Sequence, residues 1–235
     1  MLIKINGWTF TKFAPYKKGD VFGHLKTSFP DGRLRYWSAI LKRPFDICFA
    51  IIAILFTSPL LLFCMIGVKL SSQGSIFFTQ KRVGKDGKLF TIYKFRTMTH
   101  FDDEERDDIG FTTSFGRFMR RTSMDELPQF LNVLIGDMSV VGPRPHIPHM
   151  YAAGRRYDKL SPNYHLRHSV KPGITGLAQV NGFRGDVSED NEKTCYAAQM
   201  RIHLDQHYIQ RATLLLDVEI IFLTFFKEFI FGSGR

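Results

Sequence analysis

Two adjacent carboxylates, Asp125 and Glu126, open an apolar stretch in Ser123-Met124-Asp125-Glu126-Leu127-Pro128-Gln129. A carboxylate that stays ionised can act as a nucleophile on phosphorus. Two side by side can also touch one divalent ion, and Mg²⁺ suits oxygen ligands and a diphosphate. The same residues read equally as a capping box, with Ser123 as N-cap and Glu126 three residues on. On spacing alone the cap is the commoner account, and the two readings are compatible. Either way the pattern predicts a helix over 124–135, whose N-terminus favours anions.

Other residues could bind phosphate. Arg144 sits between two prolines in Gly142-Pro143-Arg144-Pro145, which restrict the backbone around a guanidinium suited to bidentate phosphate contact. The alternative is an ordinary proline turn. Residues 75–98 alternate around Lys85-Asp86-Gly87, predicting two short strands and a turn. On such strands Gln80 and Arg82 share a face, as do Lys94 and Arg96. These faces could line an anionic pocket or be solvated. The pairs His146/His149, His165/His168 and His203/His207 lack the HExxH context of a zinc hydrolase and read as helix-surface histidines. Asp102–Asp108 reads as a solvated loop.

The elements that position these groups follow from composition. Thirty-two Lys and Arg against 22 Asp and Glu give +10, which implies polyanionic partners without choosing among phosphorylated metabolites, anionic lipids and nucleic acid. Three cysteines without a CxxC pair argue against a disulfide framework or zinc ribbon and for a reducing compartment. The basic first 45 residues hold no signal-peptide core.

Ile47–Val68 is uncharged and as a helix reaches about 33 Å, enough to cross a bilayer core. A buried soluble helix is the alternative. Pro59 removes a backbone donor at its midpoint, and the Ser58 hydroxyl is placed to satisfy a freed carbonyl. Both a kinked spanning helix and a bent helix re-entering one leaflet fit. Equal positive charge on both flanks favours two cytoplasmic ends. Leu214–Phe231 carries too many charges to span and predicts an amphipathic helix that lies on a membrane or caps the core. Residues 142–175 hold five prolines and read as irregular, with helix returning near Tyr196.

In order along the chain, these landmarks resemble the monotopic phosphoglycosyl transferases, the bacterial sugar transferase family. They are Lys42-Arg43-Pro44-Phe45-Asp46, Ser58-Pro59, Phe78/Gln80/Arg82/Gly84, Lys94-Phe95-Arg96-Thr97-Met98, Asp125-Glu126, Gly136-Asp137-Met138-Ser139, Gly142-Pro143-Arg144-Pro145 and Lys171-Pro172-Gly173-Ile174-Thr175-Gly176. The resemblance implies an α+β, mainly helical fold with amphipathic interfacial helices. Residues 1–36 would be an extension, 37–70 a re-entrant membrane helix bent at Ser58-Pro59, and 71–235 a small cytosolic catalytic domain.

It also implies transfer of hexose 1-phosphate, of glucose or galactose type, from a UDP-hexose to polyprenyl (undecaprenyl) phosphate. UMP is released through a phosphosugar on Asp125, as the first membrane step of exopolysaccharide synthesis. Glu126 would bind Mg²⁺. Arg120 and Arg144 match phosphate-binding positions, joined as expected ligand contacts by Lys94, Arg96, Gln80, Arg82 and Arg184. The expected setting is the cytoplasmic face of the bacterial inner membrane, with lipid as a partner, no nucleic acid, and oligomeric state open. The rival reading is a non-catalytic basic membrane-surface scaffold or nucleic-acid-binding protein. A Gln210-Arg211-Ala212 stretch stands where the family commonly has a Trp-containing turn.

Overall fold

The computed structural model describes residues 2–5, 8–11, 32–99, 111–184 and 191–231, and side chains within 39–227 of these. The Asp102–Asp108 run and most of the extension lie outside them. Strands β1 (Leu2–Ile5) and β2 (Trp8–Thr11) form an antiparallel hairpin. Helix α1 (Gly32–Ser71) follows, unbroken through Pro44 and Pro59. Then come β3 (Phe77–Val83) and β4 (Leu89–Phe95), the expected antiparallel pair around the Lys85–Gly87 turn.

Helix α2 (Ser114–Arg121) is capped by Thr113, whose hydroxyl accepts from Gly116 N at 2.8 Å. Helix α3 (Gln129–Ile135) ends at Gly136, in the left-handed region at φ 106°. Beyond it lie β5 (Ser139–Val141), the two-residue strands β6 (Tyr151–Ala152) and β7 (Arg155–Arg156), the single turn α4 (Tyr157–Leu160), β8 (Gly173–Thr175) and α5 (Leu177–Val180). Strands β5 and β8 pair in parallel, and the 142–175 stretch read as irregular is half ordered, by β6, β7, α4, a 3₁₀ helix over Tyr164–Ser169 and β8. Helices α6 (Asn191–Arg211) and α7 (Leu214–Phe231) complete the chain. The architecture is mainly helical with small two-stranded sheets.

The predicted helix over 124–135 is corrected. Residues 124–126 form a 3₁₀ turn, and Ser123 sits in the left-handed region at φ 56° without a side-chain capping bond. Pro128 explains why. In a helix started at Ser123 it would delete the bond to the Met124 carbonyl and clash with it. The chain instead turns tightly and restarts behind Pro128, where proline is tolerated.

Helix α1 is no buried core helix. Ile52, Leu55, Phe56 and Leu70 are each at least 65% exposed, and α1 is long and apolar enough to cross a membrane. This makes it compatible with a membrane anchor. The Ser58 hydroxyl donates to the Leu55 carbonyl at 2.8 Å, the acceptor that Pro59 deprives, and Thr57 donates to Ala53 O at 2.7 Å.

Helix α1 is also pinned to the globular part. Lys42 bridges Asp46 at 3.0 Å and Asp217 at 2.8 Å, and Asp46 accepts from Val140 N and the Ser139 hydroxyl. Arg43 donates to the Val133 and Leu134 carbonyls at the end of α3. The Lys42-Arg43-Pro44-Phe45-Asp46 motif thus spends its charges inside the protein.

One core cluster gathers Ala50 of α1 with Met138, Val140, Val141, Leu177, Leu204 and Ile220. A second packs Cys64 and Val68 of α1 on Phe95 and Met119. Helix α7 inverts the usual amphipathic order. Asp217, Ile220 and Thr224 turn inward, while Leu215, Val218, Phe222 and Phe225 are 51–71% exposed.

Candidate active site

A cleft of about 1810 Å³ runs between α1, the β3–β4 hairpin, α2, the 124–126 turn and α7. Its lining divides by chemistry. Phe49, Ile52, Phe56 and Leu60 of α1, with Ile221 and Phe225 of α7, form an apolar side. Asp125, Glu126, Lys94, Arg120, Arg144 and Arg184 meet in the same cleft.

Close backbone packing sets these side chains. Gly116 lies against the Thr97 carbonyl, where any Cβ would collide. That contact lays α2 across the end of β4 and lets Arg120 Nε donate to Thr97 Oγ1 at 2.9 Å. Gly142 N donates to Thr175 O at 2.9 Å and Gly173 N to Pro143 O at 3.0 Å, fixing the Gly142–Pro145 segment against β8. Arg144 then reaches Glu126 with both terminal nitrogens, at 2.6 and 3.2 Å, and Lys94 Nζ reaches Glu126 Oε1 at 2.6 Å. Glu126 is held between two cations.

The two carboxyls therefore differ. Burial, then the charge of Glu126, pushes Asp125 up to about 6, against the pull of Lys94, Arg120 and Arg144. For Glu126, burial works upward but Arg144 and Lys94 overcome it and hold the group well below the usual carboxylate range. Near neutrality Asp125 is mostly ionised yet poorly solvated, at 9% exposure, the state a nucleophilic carboxylate requires.

The other predicted residues divide. Arg82 and Arg96 line the cleft. Gln80 is outside its lining and accepts from Arg82 Nη2 at 2.6 Å, while Arg82 Nη1 donates to Pro145 O. Arg96 is 6% exposed and donates to the Ser72 carbonyl and hydroxyl, tying β4 to the end of α1. Lys94 and Arg96 thus serve different neighbours.

The histidine expectation needs correction at His146. It is 2% exposed, edge-on to Tyr157 and stacked on Tyr164 rather than on a helix surface, and burial with Arg167 and Arg201 nearby keeps it neutral. Among the described residues no group of three or more His, Cys, Asp and Glu side chains converges as a metal site.

A buried support escaped the sequence reading. Arg167 donates to Asp205 at 2.8 and 3.2 Å and to the Arg144 carbonyl at 2.7 Å. Arg201, one turn before Asp205 on α6, donates to Phe183 O at 2.9 Å and the Tyr157 hydroxyl at 2.8 Å. One face of α6 therefore holds the backbone beside both Arg144 and Arg184. The Arg and Asp residues were visible in the sequence, but no spacing marks contacts 38 residues apart.

Comparison with known proteins fits this arrangement. Residues 37–230 match the bacterial sugar transferase family. The chain is 43% identical over 196 residues to the UDP-glucose:undecaprenyl-phosphate glucose-1-phosphate transferase of Escherichia coli (strain K12), covering 81% of this chain and 40% of that protein. It is 42% identical over 202 residues to the exopolysaccharide production protein PSS of Rhizobium leguminosarum bv. phaseoli, covering 83% and 98%. It is 40% identical over 202 residues to the UDP-N-acetylgalactosamine-undecaprenyl-phosphate N-acetylgalactosaminephosphotransferase of Aeromonas hydrophila, covering 83% and 45%. The chain thus spans about two-fifths of the first relative and nearly all of the second. The matched stretch takes in most of α1, the carboxylate turn, the Arg144 loop and most of α7, so this chain belongs to the bacterial sugar transferase family.

Proposed function

We propose that the protein transfers hexose 1-phosphate from a UDP-hexose to polyprenyl phosphate, releasing UMP. The observation that carries this reading is the position of Asp125. It stands in a cleft with cationic groups suited to a diphosphate and an apolar side, from α1 and α7, suited to a polyprenyl chain. The names of the relatives support it, at 40–43% identity.

In the first step an Asp125 oxygen attacks the sugar-bearing phosphorus, and the bond to the bridging oxygen breaks so that UMP leaves with it. In the second, an oxygen of polyprenyl phosphate attacks the same phosphorus. Asp125 departs as a carboxylate and polyprenyl diphosphate hexose forms. Arg120 and Arg144 hold phosphate oxygens and offset developing charge. Glu126 keeps Lys94 and Arg144 poised over the site before substrate arrives.

Asp125, raised by burial and then by its neighbour's charge, and Glu126 would offer oxygen donors of the kind Mg²⁺ takes. Glu126 would hold the ion together with substrate phosphates, as Arg144 or Lys94 turns toward phosphate. When bound, Mg²⁺ supplies charge neutralisation for the diphosphate and the leaving UMP.

The proposed setting is the cytoplasmic face of the bacterial inner membrane, with α1 entering and leaving the same leaflet around Ser58-Pro59. Both ends of α1 support this, since Lys42 bridges to α7 and Ser72 accepts from Arg96, so each end sits on the same catalytic domain. Assay of purified protein with UDP-glucose or UDP-galactose and polyprenyl phosphate should yield UMP and a lipid-linked sugar diphosphate in equal amounts. UMP production that continues unchanged in Asp125→Asn would defeat the covalent mechanism.

A further inference from the structure

The cationic groups of the cleft, Lys94, Arg120, Arg144 and Arg184, are hydrogen-bond donors that cannot accept. Another part of the lining has the opposite polarity. Thr224 donates its single hydroxyl hydrogen to Ile220 O at 2.8 Å. While that bond holds, the hydrogen in the 2.6 Å contact between the Thr175 and Thr224 hydroxyls comes from Thr175. Both hydrogens are spent, and Thr175 Oγ1 is left with lone pairs.

Gln179 repeats the pattern. Its Nε2 donates to Ile174 O at 3.0 Å, which fixes the amide orientation because a carbonyl can only accept. Its Oε1 is buried and accepts no hydrogen bond. Gly176 leaves the space that this oxygen occupies, for a Cβ there would lie 2.6 Å away. A buried acceptor without a donor destabilises the empty protein, a cost that a ligand's donor would relieve.

Thr175, Gln179 and Thr224 all line the cleft. Ionised phosphate oxygens gain nothing from such a wall, whereas sugar hydroxyls donate to it. We infer that Thr175 and Gln179 form the hexose subsite, accepting hydrogen bonds from sugar hydroxyls, with Thr224 turning the Thr175 lone pairs toward the ligand. This rests on the transferase reading. The uracil N3–H is a donor of the same kind and is separated from the hexose by experiment.

The test measures UMP release by the full chain in detergent or nanodiscs. Substrates are UDP-glucose, UDP-glucoses in which one hydroxyl is replaced by fluorine, and N3-methyl-UDP-glucose. Thr175→Val and Gln179→Met should each lower kcat/KM on UDP-glucose by about 10-fold, the scale of one lost hydrogen bond. For each variant, one fluorinated sugar should be turned over no more slowly than by wild type, because the hydroxyl and its acceptor form one contact. Thr175→Ser should restore the wild-type pattern, and Thr175→Ala, which also lacks the hydroxyl, stands in should Thr175→Val fold poorly.

Penalties that multiply at every sugar position overturn the subsite. So does a penalty that vanishes with N3-methyl-UDP-glucose instead, which would assign the acceptors to uracil. Wild-type protein silent toward every UDP-sugar would bring down the transferase reading and the subsite with it, whereas an active wild type with multiplying penalties removes the subsite alone.

Discussion

At the scale of single residues, the chemistry turns on the contrast between two neighbouring carboxyls. Burial and Glu126 raise Asp125 to about 6, while Arg144 and Lys94 hold Glu126 low. A nucleophile with that pKa gives a rate that rises with pH and levels off above about 6, so kcat/KM should fall roughly tenfold per pH unit below it. A flat profile from pH 5 to 8 would exclude Asp125 as the ionising group. The same shift acts on stability. The unfolded aspartate titrates near 3.9, so the folded state holds its proton more tightly, and ionising Asp125 costs the fold about 3 kcal/mol, a penalty complete above pH 6 and absent below about pH 4. Asp125→Asn removes the penalty while abolishing nucleophilic attack. It should cut turnover by about 10³-fold or more and raise Tm at pH 7.5 by several degrees, and the gain should vanish near pH 4. Residue types in the sequence announced this pair and its cations. The backbone beneath them was misread, because Pro128 overrides the capping pattern of Ser123 and Glu126.

At the scale of elements, periodicity and punctuation located α1, the β3–β4 hairpin and α7, because each carries a local signal: an uncharged run, alternation around Asp86-Gly87, or a polar stripe. The role of α6 was illegible, since its buried Arg201 and Asp205 act on Phe183, on Arg167 and through Arg167 on Arg144. A charge inside a helix does not declare its distant partner. Arg167→Met should destabilise the protein by about 3–5 kcal/mol by stranding Asp205 in the interior. The double variant Arg167→Met with Asp205→Leu should recover most of the stability. It should still show a raised KM for UDP-hexose, because the Arg144 carbonyl has lost its donor. Thermal unfolding beside steady-state kinetics checks this, and recovery of KM together with stability would reduce the network to a packing role.

At the scale of the whole molecule, α1 and α7 each turn a row of large apolar side chains outward among the described residues. The inward side of α7 carries its polar groups, as expected for a helix with protein on one side and lipid on the other. The sequence left open whether α7 caps the core or lies on a membrane, and its geometry is compatible with both. For topology, single cysteines at positions 35 and 75, in a background with the three native cysteines replaced, should both resist membrane-impermeant reagents in intact cells and react after permeabilisation. Labelling of one from outside would establish a spanning helix. The Lys42 bridge links an early part of the chain to a late one, because its partner Asp217 lies 175 residues on. During synthesis α1 emerges well before α7, and that lock can close only once Asp217 has followed. Ribosome-bound chains stopped short of α7 should therefore hold α1 loosely against the rest, and proteases should cut them near Lys42 until α7 is released.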